Sequence, residues 1–154
     1  MPRGTPQLVI FCAVALAASG TAGALLTPLP GFRSPSGNIR CVLLPAPSGS
    51  LLCSIGRASY AKALQKRCLN PTGRTEAGVD WHGFLLDPRT KGQINCSGGI
   101  LYNPAKERPS YDPLAYGKTW RHGGFTCTSR VAGVTCRNGR GHGISVSRLS
   151  WRTW

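Results

Sequence analysis

The chain has 154 residues, 19 of them Lys or Arg against 5 Asp or Glu, a formal excess of +14 at neutral pH. Its length bounds it to one domain, able to bury roughly two thirds of the surface its unfolded chain would expose. A charge of that size attracts anionic partners at long range and also keeps an exported protein in solution, and no basic run denser than Lys66-Arg67 singles out a site.

Residues 1–24 read as a signal peptide. Arg3 is followed by an apolar run from Leu8 to Ala18 and a small-x-small site at Ala22 and Ala24, with cleavage expected after Ala24. The run is too short to span a bilayer, so no transmembrane span is expected in the mature chain; an uncleaved N-terminal anchor is the alternative. Cys12 follows Phe11 rather than a small residue, which argues against a lipoprotein signal. Without this segment six cysteines remain, Cys41, Cys53, Cys68, Cys96, Cys127 and Cys136, and an even set in an exported chain implies disulfides formed in an oxidising compartment. No two of them lie closer than nine positions, so the tight spacing of a zinc site is missing and no metal is expected.

Residues 25–33 read as an N-terminal linker and 34–154 as the folded domain. Asn38–Leu43 and Leu51–Ile55 alternate as strands around the loop Pro45-Ala46-Pro47-Ser48-Gly49-Ser50. Placing Cys41 opposite Cys53 sets Ile39 against Ile55 and Leu43 against Leu51, so one apolar face carries a cross-strand disulfide. Ser59–Cys68 is the one helical stretch, with Ser59 as a cap, Tyr60, Leu64 and Cys68 on one side and a basic last turn. Trp81–Leu86 and Gly92–Cys96 read as a further strand pair. From Ser97 to Arg121 the chain reads as long, loop-rich and aromatic, and such a segment is either functional or mobile. Phe125–Ser129 and Gly133–Asn138 form a second hairpin with Cys127 opposite Cys136, and a glycine-rich turn leads to a third strand ending near Leu149. Cys68 and Cys96 are then left to pair, one of fifteen connectivities. The expected fold is a mainly β, small antiparallel sheet or sandwich of disulfide-linked hairpins with one short helix.

The ordered residues Ser34-Pro35-Ser36-Gly37-Asn38-Ile39-x-Cys41, Cys53-x-Ile55, Trp81 with Gly83-Phe84, Cys96-Ser97-Gly98, Leu114-Ala115-Tyr116-Gly117, Gly133-Val134-Thr135-Cys136-x-Asn138 and Gly141-His142-Gly143-Ile144-x-Val146-Ser147-Arg148 resemble an uncharacterised family of exported bacterial domains, common in actinobacteria. The resemblance implies export, a disulfide-stapled β domain and no established activity. That family carries an acidic residue shortly after the fourth cysteine, where this chain has Gly99, so acid-dependent chemistry is not expected to transfer.

His82, His122 and His142 are the weak catalytic candidates, for a ribonuclease-like acid and base. His142 sits between two glycines beside Arg140, although glycines that merely serve a turn explain the same pattern. Trp151-Arg152-Thr153-Trp154, preceded by Arg148, interleaves aromatics with cations as stacking and anion-binding surfaces do. The two tryptophans are three apart, so a strand turns one of them away from the core. Gly117-Lys118-Thr119 lacks the upstream glycine of a phosphate loop, and Gly139-x-Gly141-x-Gly143 lacks the dinucleotide spacing, so no nucleotide cofactor is expected. No Gly-x-Ser-x-Gly elbow occurs, and Ser145 and Ser147 read as solvent-facing. The expectation is a monomeric, secreted, non-catalytic module. Arg140, His142, Arg148, Trp151, Arg152 and Trp154 are its binding candidates, and an anionic polymer or an envelope or extracellular protein its partner. A small cationic hydrolase is the alternative, and a protease inhibitor a lesser third.

Overall fold

The computed structural model describes Met1 and residues 26–69, 79–99, 101–103 and 105–154. The segment expected as a signal peptide, Met1 apart, lies outside the described residues. Two sheets face each other. The first has six strands in the order β6-β5-β4-β3-β2-β8: β2 (Gly31–Arg33), β3 (Ile39–Leu43), β4 (Leu51–Ile55), β5 (Asp80–Leu86), β6 (Gln93–Ser97) and β8 (Asp112–Pro113). The second has five, β13-β12-β11-β10-β9: β9 (Thr119–His122), β10 (Phe125–Arg130), β11 (Gly133–Arg137), β12 (Gly143–Val146) and β13 (Trp151–Thr153). All neighbours in the second sheet are antiparallel, and in the first only β2 and β8 are parallel.

The core lies between the sheets because alternation sends every second residue inward. Ile39, Cys41, Leu51, Cys53 and Phe84 from one sheet meet Phe125, Cys127, Val134, Cys136, Ile144 and Val146 from the other, all of them buried. Both hairpin registers are as expected, with Cys41 opposite Cys53 and Cys127 opposite Cys136. The two bridges are stacked at the centre: the sulfurs of Cys41, Cys53 and Cys136 lie within 4.8 Å of one another. These sulfurs are spent in disulfides and hold no metal. The third bridge joins Cys68 to Cys96 and fastens the helix α1 (Ala61–Leu69) to β6.

Three expectations need correction. The presumed linker supplies β2 and a short strand β1 (Thr27–Leu29), because Phe32 is apolar enough to enter the core and Leu29 packs on the outer face of the first sheet. The aromatic segment after Ser97, expected to be loop-rich, also contains short strands. It holds β8, β9 and β7 (Glu107–Pro109), the last paired in parallel with β1. Leu101, Tyr102 and Tyr111 pack with Leu52 on Val42 and Leu44, so part of the outer face of the first sheet is covered as well. Burial raises the Tyr111 hydroxyl pKa, neighbouring Tyr102 adds to that, and Arg40 opposes it. Finally, Ser59 does not cap the helix. Its N–H donates to the Arg148 carbonyl (2.8 Å) and its hydroxyl to that of Leu149 (3.3 Å), tying the helix start to the turn between β12 and β13.

Tyr60 completes that tie. Its hydroxyl donates to the Ser147 carbonyl at 2.8 Å, and its ring meets Trp81, Phe84 and Trp151 edge-on. Burial pushes its pKa up to about 12. Among the described residues no helix is long and apolar enough to cross a membrane.

Candidate functional site

The second sheet has one face in the core and one in solvent. Register places Thr119 and Arg121 of β9, Thr126, Thr128 and Arg130 of β10, Thr135 and Arg137 of β11, Ser145 of β12 and Arg152 of β13 on the open side, opposite the inward cysteines and Val134. Arg121, Arg130, Arg137 and Arg152 are all exposed. Hydroxyls fill the rows between them, with Thr135 and Ser145 joined at 3.1 Å and Thr119 and Thr128 at 3.4 Å. No Asp or Glu occurs anywhere from Pro113 to Trp154. Five strands about 4.8 Å apart make this face about 19 Å wide.

Trp154 forms its aromatic corner. The main chain of Trp154 continues the ladder, exchanging N–H and carbonyl bonds with Gly143 (2.9 and 3.0 Å), and the indole N–H donates to the Gly141 carbonyl at 2.9 Å. The ring lies across Gly143, where a Cβ would come within 2.5 Å of it. The guanidinium groups of Arg137 and Arg152 each sit 5.5 Å from a ring centroid of this tryptophan, within cation–π range. The glycine repeat thus has two local causes: Gly141 turns the chain at φ +83°, and Gly143 leaves room for the indole.

Asn138 holds this corner to the rest of the domain. It is buried, and its side-chain amide donates to the carbonyls of Asp87 (2.9 Å) and Thr90 (3.0 Å) in the turn between β5 and β6. Its side-chain oxygen accepts from the N–H groups of Arg140 (3.0 Å) and His142 (3.1 Å). Every hydrogen-bonding position of the amide is filled, and the turn that presents Arg140 and His142 is clamped from beneath.

The binding candidates are therefore split. Arg140, His142, Arg152 and Trp154 belong to this corner. Trp151 points the other way, into the core, with its ring 5.4 Å from that of Phe84. Arg148 lies at the opposite end of the sheet, in the turn between β12 and β13. Sequence reading missed Arg121, Arg130 and Arg137; the signal was present for Arg137, which follows the inward Cys136 on one strand, while Arg121 and Arg130 fall in stretches read as loop and turn.

The three histidines are not brought together. His122, on the edge strand, is stacked on Trp120 at 5.8 Å and is separated from the His142 turn by β10 and β11, three strand spacings or about 14 Å. His82 is exposed on β5, five residues from the Asp87 turn that Asn138 grips, about 16 Å of strand. Neither His82 nor His122 is placed to act with His142 as a general acid and base.

At the end that holds Arg148, a groove of about 780 Å³ is lined by Ser36, Asn38, Arg40, Arg57 and Arg148 among others, with no acidic residue among the described ones. Asn38 fixes its wall by accepting the Arg57 N–H (2.8 Å) and donating to the Arg57 carbonyl (3.1 Å).

No curated protein and no solved structure matches the chain. A family model does, over residues 8–152, and it spans both sheets, the three disulfides and the arginine face. The chain belongs to that family, DUF6636, a family of unknown function.

Proposed function

We propose that the protein is an exported, non-catalytic binding module whose open C-terminal sheet engages an extended anionic polymer. One observation carries this reading: four arginines and a cation-flanked tryptophan share one solvent-facing sheet in a stretch of 42 residues, 113–154, without a single acidic residue. Guanidinium groups spaced over about 19 Å suit repeated phosphate, sulfate or carboxylate groups better than one small anion, and threonine hydroxyls between them add neutral hydrogen bonds. The N-terminal apolar run and the pairing of all six remaining cysteines support export.

The test is titration with single-stranded oligothymidylate and with poly-glutamate, at rising salt. Four phosphate contacts predict roughly a 50-fold loss of oligothymidylate affinity between about 50 and about 200 mM salt. Trp154→Ala and Arg137→Gln should each weaken binding, and His82→Ala, on the other sheet, should leave it within about two-fold. Absence of binding at low salt, or an affinity indifferent to salt, would overturn the proposal. Cleavage of the RNA counterpart that His142→Ala abolishes would favour the hydrolase instead.

A further inference from the structure

The arginine face ends at two hairpin tips, where β10 turns into β11 and β12 into β13. Each tip carries one aliphatic side chain that packs on almost nothing, Val131 at 84% exposed and Leu149 at 81%. Each is next in sequence to an exposed arginine, Arg130 and Arg148. Tyr116, 45% exposed, borders the same hollow, about 520 Å³ in volume, and among the described residues no acidic one lines it. Arg148 is shared with the neighbouring groove that also holds Arg40 and Arg57.

The tip between β12 and β13 is held firmly. The Ser147 hydroxyl accepts from the N–H groups of Leu149 (3.2 Å) and Ser150 (3.0 Å), while Ser59 and Tyr60 bind the carbonyls of Arg148, Leu149 and Ser147 from the helix side. Leu149 is thus presented outward by a bonded turn.

We propose that this end of the domain docks on an anionic lipid bilayer, with Val131 and Leu149 entering the boundary between headgroups and acyl chains and Arg130, Arg148 and Arg57 meeting the lipid phosphates. Charge complementarity argues for this occupant: a surface that carries Arg57, Arg130 and Arg148 and, among the described residues, no acid faces an anionic leaflet. The shape does too. Two single aliphatics on adjacent protruding tips fit a fluid interface that closes around each, whereas a protein partner would need a matching pocket for both. Guanidinium groups beside them reach phosphates while their stems stay in the apolar layer, and tyrosine favours the same depth. The surface shares Arg130 with the arginine face but does not use Trp154, so the two readings are told apart by a variant at Trp154.

The experiment is co-sedimentation of the full domain with vesicles of phosphatidylcholine alone and of phosphatidylcholine mixed with phosphatidylglycerol. Binding to the mixed vesicles is expected, and little to the neutral ones. Val131→Ser with Leu149→Ser should lower the partition coefficient about 25-fold, roughly five-fold for each half-buried aliphatic. Arg130→Gln with Arg148→Gln should lower it by a similar factor on mixed vesicles only. Trp154→Ala should leave it unchanged, which separates this result from the fate of polymer binding. All four tip positions are exposed, so these variants should retain the wild-type circular dichroism. Failure to sediment with mixed vesicles at low salt would overturn the proposal. So would sedimentation that the aliphatic variant does not weaken, since that is adsorption by charge alone.

Discussion

Replacing Asn138 by Ala should cost far more stability than a polar residue in a glycine-rich turn would suggest. The side chain makes four hydrogen bonds of 2.9 to 3.1 Å, two to carbonyls of the β5–β6 turn and two from N–H groups of its own turn. Each bond contributes about 1 kcal/mol net, and water can reach part of the exposed turn, so the loss should be about 2 to 4 kcal/mol. Asn138→Asp keeps the accepting oxygen but points a second carboxylate oxygen at the Asp87 and Thr90 carbonyls. Its penalty should shrink as pH falls and the carboxyl gains a proton to donate. Urea denaturation with the disulfides intact, at neutral pH and near pH 4, measures both effects. A loss below about 0.5 kcal/mol for Asn138→Ala, or an Asp variant indifferent to pH, would refute the clamp.

The Cys68–Cys96 bridge, with Cys96 exposed and the other two bridges buried, should be reduced first by mild thiol, as read by alkylation and mass spectrometry. It also closes the longest loop, 28 residues against 12 and 9, so its removal should destabilise most, by about 3.5 kcal/mol in the chain-entropy account. Tyr60 keeps its proton to about 12 when folded but only to 10.0 ordinarily, so above pH 10 the unfolded chain holds fewer protons there. This contribution to stability is complete below pH 10 and is lost as pH rises towards 12; Tyr60→Phe should remove that slope and the bond to Ser147, about 1 kcal/mol. Gly143→Ala sets a methyl against the Cys136 carbonyl and 2.5 Å from the indole, and should cost about 1 to 3 kcal/mol while altering the tryptophan fluorescence.

The hairpins were legible because two constraints coincide in them. The period-2 pattern and a cysteine pair define one register, and a slip of one residue would send Ile39, Cys41 and Leu43 outward together. The edge strands were not legible. Gly31–Arg33 and Asp112–Pro113 are too short to show alternation, and their pairing with β3 and with each other is settled by tertiary contact through Phe32. The cap assigned to Ser59 failed for a related reason, since its hydroxyl donates to a carbonyl ninety residues away instead of accepting from an N–H of the first helical turn. At the site, the tryptophan spacing correctly implied opposite faces for Trp151 and Trp154. It did not say which faced the arginines, because that depends on Val146 standing opposite Trp151. Arg148 looked like part of the aromatic run only because a tight turn of four residues hides the change of direction.

The claim that the open C-terminal sheet is the binding face is tested most directly by following backbone amide signals as oligothymidylate is added at low salt. The account predicts the largest shifts at Thr126, Thr135, Arg137, Ser145, Arg152 and Trp154, with the Trp154 indole signal moving and all of them returning as salt rises. Shifts confined to the groove of Arg40 and Arg57, or to the Cys68–Cys96 side of the domain, would contradict it.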